Sequence, residues 1–263
     1  MKKTDNTLYH YTASELINPQ HPVTVFVIGC GGTGSQMLNN LARVHKALIA
    51  IGHPGLHVTA FDGDIITEAN LSRQLFSSSE LGLNKATALI TRINRFYGLR
   101  WKAQPIQYEL KSDRINCNIL VTCVDNVAIR LDIGKAFKRI IQHGSGADKR
   151  NFYWMDLGNS RFTGQIVLGT RGEIKQPSKT RNTIKHLPVI TELFPYLKKF
   201  EKEDQGPSCS LAEALTKQDL FINSILAQYG SNLIWKMFRE LRLNYHGVFI
   251  NLQTLNTNPI KVK

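Results

Sequence analysis

The amino-acid sequence predicts an α/β fold: a mostly parallel sheet with helices on both faces and antiparallel strands late in the chain. Three observations support this class. An apolar strand runs into a glycine-rich turn and an amphipathic helix near the N-terminus. Strand and helix patterns then alternate through the first two thirds of the chain, which is typical of parallel strands joined by helices. Two short strand-like segments close the sequence and indicate an edge hairpin.

The first strand–turn–helix unit is the most informative stretch. Residues 23–28, VTVFVI, predict a fully buried strand, and apolar residues recur with helical spacing over 37–48. The sequence GCGGTG lies between them and places glycines at Gly29, Gly31, Gly32 and Gly34. Glycines at this spacing let backbone N–H groups approach a phosphate, and the following helix start adds partial positive charge. The unit therefore predicts a nucleotide-binding turn without deciding which nucleotide binds.

A second strand is predicted at residues 56–61, and acidic residues follow it at Asp62 and Asp64. In a Rossmann-type unit, an acid at the end of the second strand holds the ribose hydroxyls of a nucleotide. Asp62 stands at that place. The sequence therefore predicts a ribose contact from Asp62.

The middle of the chain continues the alternation of helices and strands. Residues 68–76 are polar, have no regular period and predict a loop. The apolar spacing then predicts a helix at 86–96, a short strand at 103–108, a buried strand at 117–124 and a helix at 127–141. Asn84 is placed to cap the first of these helices, and Asp125 directly follows the buried strand.

The last third is less regular. Strands are predicted at 153–157 and 162–168 around Gly158 and Asn159, then helical spacing from 210 to about 241 with a break near Tyr229 and Gly230, and finally strands at 248–252 and 259–262. The predicted organisation has four parts: an N-terminal extension (1–22), a Rossmann-like nucleotide-binding core (23–170), a basic crossover region (171–209), and C-terminal helices with an edge hairpin that complete the same domain (210–263).

Composition narrows the function classes. The 263 residues contain no apolar run long enough to span a bilayer and no signal-peptide pattern, so we expect a cytoplasmic protein without membrane partners. The four cysteines form no C-x-x-C pair, so we expect no zinc. The net charge of +13 is spread over many elements and comes with no nucleic-acid motif, which disfavours nucleic acid as a partner.

A larger set of motifs surrounds the glycine turn. GCGGTG is followed by DGD at 62–64, NLSRQ at 70–74, GLNKA at 82–86 and VDN at 124–126. In order and rough spacing, the set resembles the ThiF family of adenylyltransferases, which are similar to ubiquitin-activating enzymes, over roughly residues 20–170. Within that family the chain looks most like the member of the bacterial PRTRC gene system. The combined set is far more specific than the glycine turn alone.

The resemblance implies an activity. In that family the C-terminal glycine carboxylate of a ubiquitin-like or sulfur-carrier protein attacks the α-phosphate of ATP, and an acyl-adenylate and pyrophosphate form. A carboxylate is already ionised at neutral pH and needs no general base, so positioning and charge neutralisation carry the step. By resemblance, the nucleotide would be bound by the four glycines together with Asp62, Asp64, Asn70, Arg73, Gln74 and Lys85. The resemblance makes Arg73, Lys85 and Asp125 catalytic and gives Asp125 the Mg²⁺ ion.

Cys209 is a candidate thiol nucleophile. It lies just before a predicted helix start, where thiol pKa values are lowered, and related activating enzymes use a cysteine of the crossover region to hold the carrier. The alternative is a small residue that packs beneath the helix. The resemblance also implies a homodimer, with ubiquitin-conjugating and deubiquitinating-peptidase-like proteins as further partners. Many members reach across the dimer with an N-terminal arginine, but here only Lys2 and Lys3 could do so, since no arginine precedes Arg43.

Two alternatives to adenylation remain open at this point. An NAD- or FAD-dependent oxidoreductase would explain the glycines and Asp62, but it leaves Asn70, Arg73 and Lys85 without a role. A nucleotide-binding scaffold without turnover would explain the basic charge, but not a complete set of ATP-binding residues.

Overall fold

The computed structural model describes residues 7–71, 73–108, 115–143, 153–178, 180, 182–197 and 218–263. The strands are β1 (His10–Tyr11), β2 (Val23–Ile28), β3 (Leu56–Phe61), β4 (Lys102–Gln104), β5 (Ile119–Thr122), β6 (Tyr153–Asn159), β7 (Thr163–Thr170), β8 (Arg242–Leu243), β9 (Tyr245–Asn251) and β10 (Asn256–Lys261). The α-helices are α1 (Ser14–Ile17), α2 (Gly32–Ala50), α3 (Lys85–Tyr97), α4 (Val127–His143), α5 (Ile190–Leu193) and α6 (Ile222–Arg239).

Eight strands form one mixed sheet in the order β10-β9-β7-β6-β5-β2-β3-β4. The strands from β4 to β6 pair in parallel, whereas β6, β7, β9 and β10 pair antiparallel. One hydrophobic cluster packs α2, α3 and α6 on the sheet, and a second packs α4 and α5. The predicted class is therefore confirmed, including the antiparallel late strands and the edge hairpin.

The strand order reverses between β2 and β5. From β2 the chain proceeds through α2 to β3 on one side, while β5 pairs with the other side of β2. Ligands of open α/β sheets bind at such a reversal, outside the carboxyl ends of the strands. The loops that follow β2 and β5 contain GCGGTG and VDN, so the fold brings these two motifs together.

The N-terminal extension packs against the rest of the fold. Leu16 is fully buried, and β1 pairs with β8 next to the C-terminal hairpin. Thr12 Oγ1 also donates to the carbonyl of Met237 in α6 at 2.9 Å. Ala13 and Leu16 of this segment therefore belong to the same hydrophobic cluster as β2 and α2.

Several predicted boundaries were wrong. Gly158 and Asn159 lie inside β6 because they pair with Gln165 and Gly164 of β7, and the turn comes later. Helix α6 runs through Tyr229 and Gly230 without a break, since Gly230 packs closely against Leu157 and Met155. The strands predicted at 103–108 and 117–124 are shorter, at Lys102–Gln104 and Ile119–Thr122. In the described part of the chain, no helix is both long and apolar enough to cross a membrane.

Candidate functional site

The glycine turn after β2 uses each glycine differently. Gly29 has φ of +88°, and a Cβ there would lie 2.7 Å from the carbonyl oxygen of Cys123 after β5. A Cβ on Gly34 would lie 1.8 Å from the carbonyl oxygen of Gly29, so the start of α2 touches the turn. At Gly31, the nearest neighbouring atom to an added Cβ is 3.9 Å away. The first and last glycines therefore close the turn, while Gly31 faces open space in which a ligand can approach the backbone.

This difference predicts opposite outcomes for two alanine variants. Gly34→Ala is expected to destabilise the protein by about 3 kcal/mol or more, because backbone atoms cannot move aside for the methyl group. Gly31→Ala is expected to keep the free energy of unfolding within about 1 kcal/mol, since the nearest neighbouring atom to the added Cβ, Gln74 Nε2, would lie at an ordinary contact distance of 3.9 Å. Where a nucleotide phosphate binds at the predicted turn, the added methyl group should weaken that binding. Urea denaturation and calorimetric ATP titration of both variants check this pair.

The start of α2 presents uncompensated backbone charge. Gly31 is its N-cap, and among the described residues no side chain accepts a capping hydrogen bond there. The first turn of α2 also contains no acidic residue. Free N–H groups at a helix N-terminus attract anions. The geometry is therefore suited to a phosphate group.

Asp62 fastens the glycine turn to the end of β3. It is 8% exposed, its Oδ2 accepts the Cys30 N–H at 2.6 Å, and its Oδ1 accepts the Asp64 N–H at 2.9 Å. Burial raises the pKa of Asp62, while these two N–H groups and the nearby Lys85 oppose that shift. Each carboxylate oxygen retains a further lone pair. The predicted ribose contact is therefore compatible with a structural role in holding the turn.

Lys85 and Asp64 form an ion pair beside Asp62. Lys85 Nζ lies 2.9 Å from Asp64 Oδ2, and the lysine side chain is nearly buried whereas that of Asp64 is exposed. Asn84 Nδ2 donates to the carbonyl oxygens of Asp62 and Asp64, and its Oδ1 caps α3 through the Thr87 N–H. The predicted helix cap is thus confirmed. Asn84 also joins the cap to the Asp62 loop, a role that the sequence analysis did not assign.

Arg73 carries a positive charge without an acidic partner. Its Nη1 donates to Gln218 Oε1 at 2.6 Å, and its Nε is buried without a hydrogen-bond partner within the described ranges. No carboxylate of the described part of the chain pairs with it. Burial lowers the pKa of Arg73, although a guanidinium stays charged in proteins. A desolvated cation without a counter-charge is poised to bind an anion.

The neighbours of Arg73 in the same loop are held differently. Gln74 is 8% exposed. Its Nε2 is the nearest neighbouring atom to a Cβ added at Gly31, at 3.9 Å. Its Oε1 has no hydrogen-bond partner among the residues that the structure describes. Asn70 Oδ1 instead accepts the Thr67 N–H at 2.9 Å, which closes a short capping box. Of the two predicted ligands, Gln74 therefore lies next to the glycine turn, and a phosphate contact from Asn70 would have to use its Nδ2 group.

Asp125 follows β5 on the other side of the glycine turn. Its side chain is exposed, and the neighbouring Cys123 N–H donates to the carbonyl of Ile28 at 2.8 Å. The adjacent Asn126 caps α4 by accepting the Ala128 N–H at 2.7 Å. The side chain that caps α4 is therefore that of Asn126 and not that of Asp125. The Asp125 carboxylate therefore stands at the strand-order reversal without the capping role.

A buried ion pair beneath this loop was missed by the sequence analysis. Arg130 Nε donates to Asp156 Oδ1 at 2.8 Å, and both side chains are almost completely buried. Arg130 Nη2 also donates to the carbonyl of Val124, which precedes Asp125. The acid within the apolar strand segment YWMDL was the available signal. This pair fixes the path of the VDN loop.

The cysteines near the turn are unsuited to nucleophilic chemistry. Cys30 lies in the turn and Cys123 lies beside it, and burial raises the pKa of both thiols. Burial also raises the pKa of Cys117 to about 12. Cys30 is fully buried and packs as a small apolar residue. Cys209, Lys2 and Lys3 lie outside the described residues, so their assignments stay predictions.

Metal ligands are sparse at this site. The described residues contain no group of three His, Cys, Asp or Glu side chains placed to hold a metal ion. Magnesium is commonly bound by one or two carboxylates together with substrate phosphates. The exposed Asp125 fits that mode and would supply the protein's share of the ligands.

A pocket of about 360 Å³ between α6 and β8–β10 contains none of the predicted site residues.

Comparison with known proteins agrees with this arrangement. The model of the ThiF family matches residues 20–256. Over 129 residues, 46% of this chain and 12% of the relative, the chain is 31% identical to ubiquitin-activating enzyme E1 1 of Triticum aestivum. Over 84 residues, 32% of this chain and 12% of the relative, it is 33% identical to the ATP-dependent ubiquitin transferase-like protein Cap2 of Enterobacter hormaechei subsp. hoffmannii (strain UCI 50).

Solved structures give the same fold. Escherichia coli MccB aligns with a TM-score of 0.59 at 16% identity, over 94% of this chain and 63% of MccB. PaaA aligns with a TM-score of 0.57 at 12% identity, over 91% of this chain and 64% of PaaA. MccB has also been determined with ATP. The chain thus spans about an eighth of these curated relatives and less than two thirds of these structural neighbours.

Proposed function

The chain belongs to the ThiF family, and from this premise we propose that it catalyses ATP-dependent adenylation of a carboxylate on a protein or peptide. The observation that supports the proposal most is the half-buried charge of Arg73, whose Nε is buried without a hydrogen-bond partner and which no carboxylate of the described residues compensates. Together with the free N-terminus of α2, it forms a cationic environment at the strand-order reversal. A nucleotide phosphate is the ligand that such an environment fits.

The proposed reaction needs no general base. A carboxylate oxygen of the acceptor attacks the α-phosphorus of ATP, a new carboxyl oxygen–phosphorus bond forms, and the bond to the β-phosphate oxygen breaks to release pyrophosphate. Negative charge grows on the departing oxygen and on the α-phosphate. Arg73 and the α2 N–H groups would stabilise that charge, and Lys85 would join them once it exchanges Asp64 for a phosphate.

Each remaining predicted residue receives a role under this proposal. Asp62 would hold the ribose while it fastens the glycine turn. Asn70 and Gln74 would contact the nucleotide from the loop that carries Arg73. Asp125 would bind Mg²⁺, which supplies charge neutralisation between phosphate oxygens when it is bound. These residues lie at separate positions in the sequence but surround one edge of the sheet, which supports a single shared ligand.

The acceptor is proposed to be a small ubiquitin-like or sulfur-carrier protein that ends in glycine. The similarity to a ubiquitin-activating enzyme and to Cap2 supports this choice. MccB has been determined with a peptide, MccA, so a peptide acceptor is the second possibility. A homodimer, assignment to the PRTRC system, and conjugating-enzyme and peptidase-like partners stay predictions from the sequence resemblance.

Cys209 is proposed to receive the activated acceptor: its thiolate would attack the carbonyl carbon of the acyl-adenylate, form a thioester and release AMP. Since this step follows adenylation, Cys209→Ala is expected to keep ATP–pyrophosphate exchange within about twofold of wild type and to lose only a thiol-linked adduct. Denaturing gel electrophoresis with and without reductant detects that adduct. A Cys209→Ala variant that still forms a reductant-sensitive adduct would show that another thiol is used.

The two alternatives are separated by ligand binding. An oxidoreductase would bind NAD or FAD tightly and would not need the charge of Arg73. A scaffold would bind ATP in an Lys85-dependent manner without any exchange. Titration of the wild-type protein with MgATP and NAD, followed by exchange assays with candidate carriers, therefore tests the proposal.

A further inference from the structure

A row of four polar side chains connects the start of α2 with Arg73. Thr33 Oγ1 donates to Asn223 Oδ1 at 2.9 Å, and Asn223 Nδ2 donates to Gln218 Oε1 at 2.9 Å. Arg73 Nη1 donates to the same glutamine oxygen at 2.6 Å. We call these residues, Thr33, Asn223, Gln218 and Arg73, the amide relay. All hydrogen-bond directions along the relay are mutually consistent, and Gln218 Oε1 receives two donors.

The end of the relay at α2 is rigid. Asn223 lies in the first turn of α6, is 3% exposed, and packs so closely on the glycine turn that a Cβ on Gly32 would lie 2.5 Å from its Nδ2. Thr33 is also buried. Gly32 therefore provides room for Asn223, and Asn223 anchors Gln218 from a fixed position. Because one end is fixed, the relay restricts where the Arg73 guanidinium can lie.

The chemistry of the relay leaves Arg73 charged. Gln218 offers a neutral amide oxygen, which orients a guanidinium without cancelling its charge. Arg130 shows the contrasting arrangement in the same chain, because the Asp156 carboxylate neutralises it. A carboxylate in place of Gln218 would hold Arg73 at least as firmly. The neutral Gln218 amide therefore orients the Arg73 guanidinium and leaves its positive charge available for a ligand.

We propose that Gln218, anchored by Asn223, is a positioning residue that fixes the Arg73 guanidinium for a nucleotide phosphate while leaving its charge available. Gln218 acts through Arg73 and need not touch the ligand. This inference rests on the proposed function, since it requires a nucleotide at the site. It goes further by assigning roles to two residues of the C-terminal part that the family motifs do not include.

The variant Gln218→Glu distinguishes two roles for Gln218. In the first, Gln218 positions Arg73 and leaves the charge of Arg73 free; in the second, its role is merely structural. Glutamate has nearly the same shape and can still hold Arg73, but its carboxylate competes with the phosphate. We expect the affinity for MgATP to fall about tenfold, the affinity for adenosine to stay within about twofold, and the urea midpoint to be unchanged or higher. A structural role alone predicts unchanged MgATP binding. Ligand-observed NMR titration of the full chain with MgATP and with adenosine provides the readout.

Gln228→Glu is the matched control, because it makes the same change on an exposed face of α6. It should leave the affinities for MgATP and adenosine within twofold of wild type. That result would exclude a general effect of net charge on ligand affinity. Wild-type MgATP affinity in Gln218→Glu, or equal losses of MgATP and adenosine affinity, would overturn the positioning role while leaving the proposed function intact. A wild-type protein that does not bind MgATP would instead overturn the proposed function and this inference with it.

Discussion

Arg73→Ala is expected to lower carrier-dependent ATP–pyrophosphate exchange by about 10²- to 10³-fold, which is the usual effect of removing one donor that stabilises transition-state charge. The physical reason is that Arg73 is a half-buried cation without a carboxylate partner among the described residues. Its loss should change the free energy of unfolding by only about 1 kcal/mol, since one hydrogen bond to a neutral amide disappears. Exchange assays and urea denaturation on the same preparation measure both quantities.

Arg95→Ala is the matched control for this change. Arg95 is exposed in the last turn of α3. The Arg95→Ala substitution therefore removes the same charge from the same protein. Exchange by this variant should equal that of wild type within about twofold. If Arg73→Ala retained normal exchange, Arg73 would be a surface charge and the cationic site would have no catalytic meaning.

Asp125→Asn is expected to lower exchange by about 10²-fold and to raise the Mg²⁺ concentration needed for half-maximal rate. Asparagine keeps the shape but lacks the charge that a hard cation prefers. The folded state should be unaffected, because the Asp125 side chain is exposed and the helix cap belongs to Asn126. A Mg²⁺ titration of the exchange rate measures the shift, and EDTA should abolish the wild-type rate until Mg²⁺ is restored.

The neighbouring cap gives a control with the opposite profile. Asn126→Ala removes the hydrogen bond to the Ala128 N–H and should cost about 1 kcal/mol of stability. Its Mg²⁺ dependence should match that of wild type. An Asp125→Asn protein with unaltered exchange and Mg²⁺ dependence would remove Asp125 from the metal site.

The parallel half of the fold was predictable because its signals are local. Residues 23–28 form a short apolar run, residues 56–61 are an alternating β-rich segment that follows a turn, and both matched the strands observed. The break predicted near Gly230 was wrong because a glycine in a helix can be required by packing. Here Gly230 lies against Leu157 and Met155 of β6, a tertiary contact that local spacing does not encode.

The candidate site was predictable only where a residue type has one evident chemical use. Glycines, Arg73 and Asp125 stood out in order along the chain. Gln218 and Asn223 did not, because an amide has many roles and their meaning comes from contacts with residues far away in sequence. A buried polar residue on the apolar face of α6 was the available signal at Asn223. The partners of Arg73 therefore required the structure.

The most direct test of adenylation is the incorporation of labelled pyrophosphate into ATP by the wild-type protein. The assay is run with MgATP and a small glycine-terminated carrier encoded beside the gene, and again with the carrier lacking its last glycine. We expect exchange only with the intact carrier, and its loss in Arg73→Ala. Tight binding of NAD by a protein that neither binds ATP nor exchanges pyrophosphate with the intact carrier would contradict the proposed function.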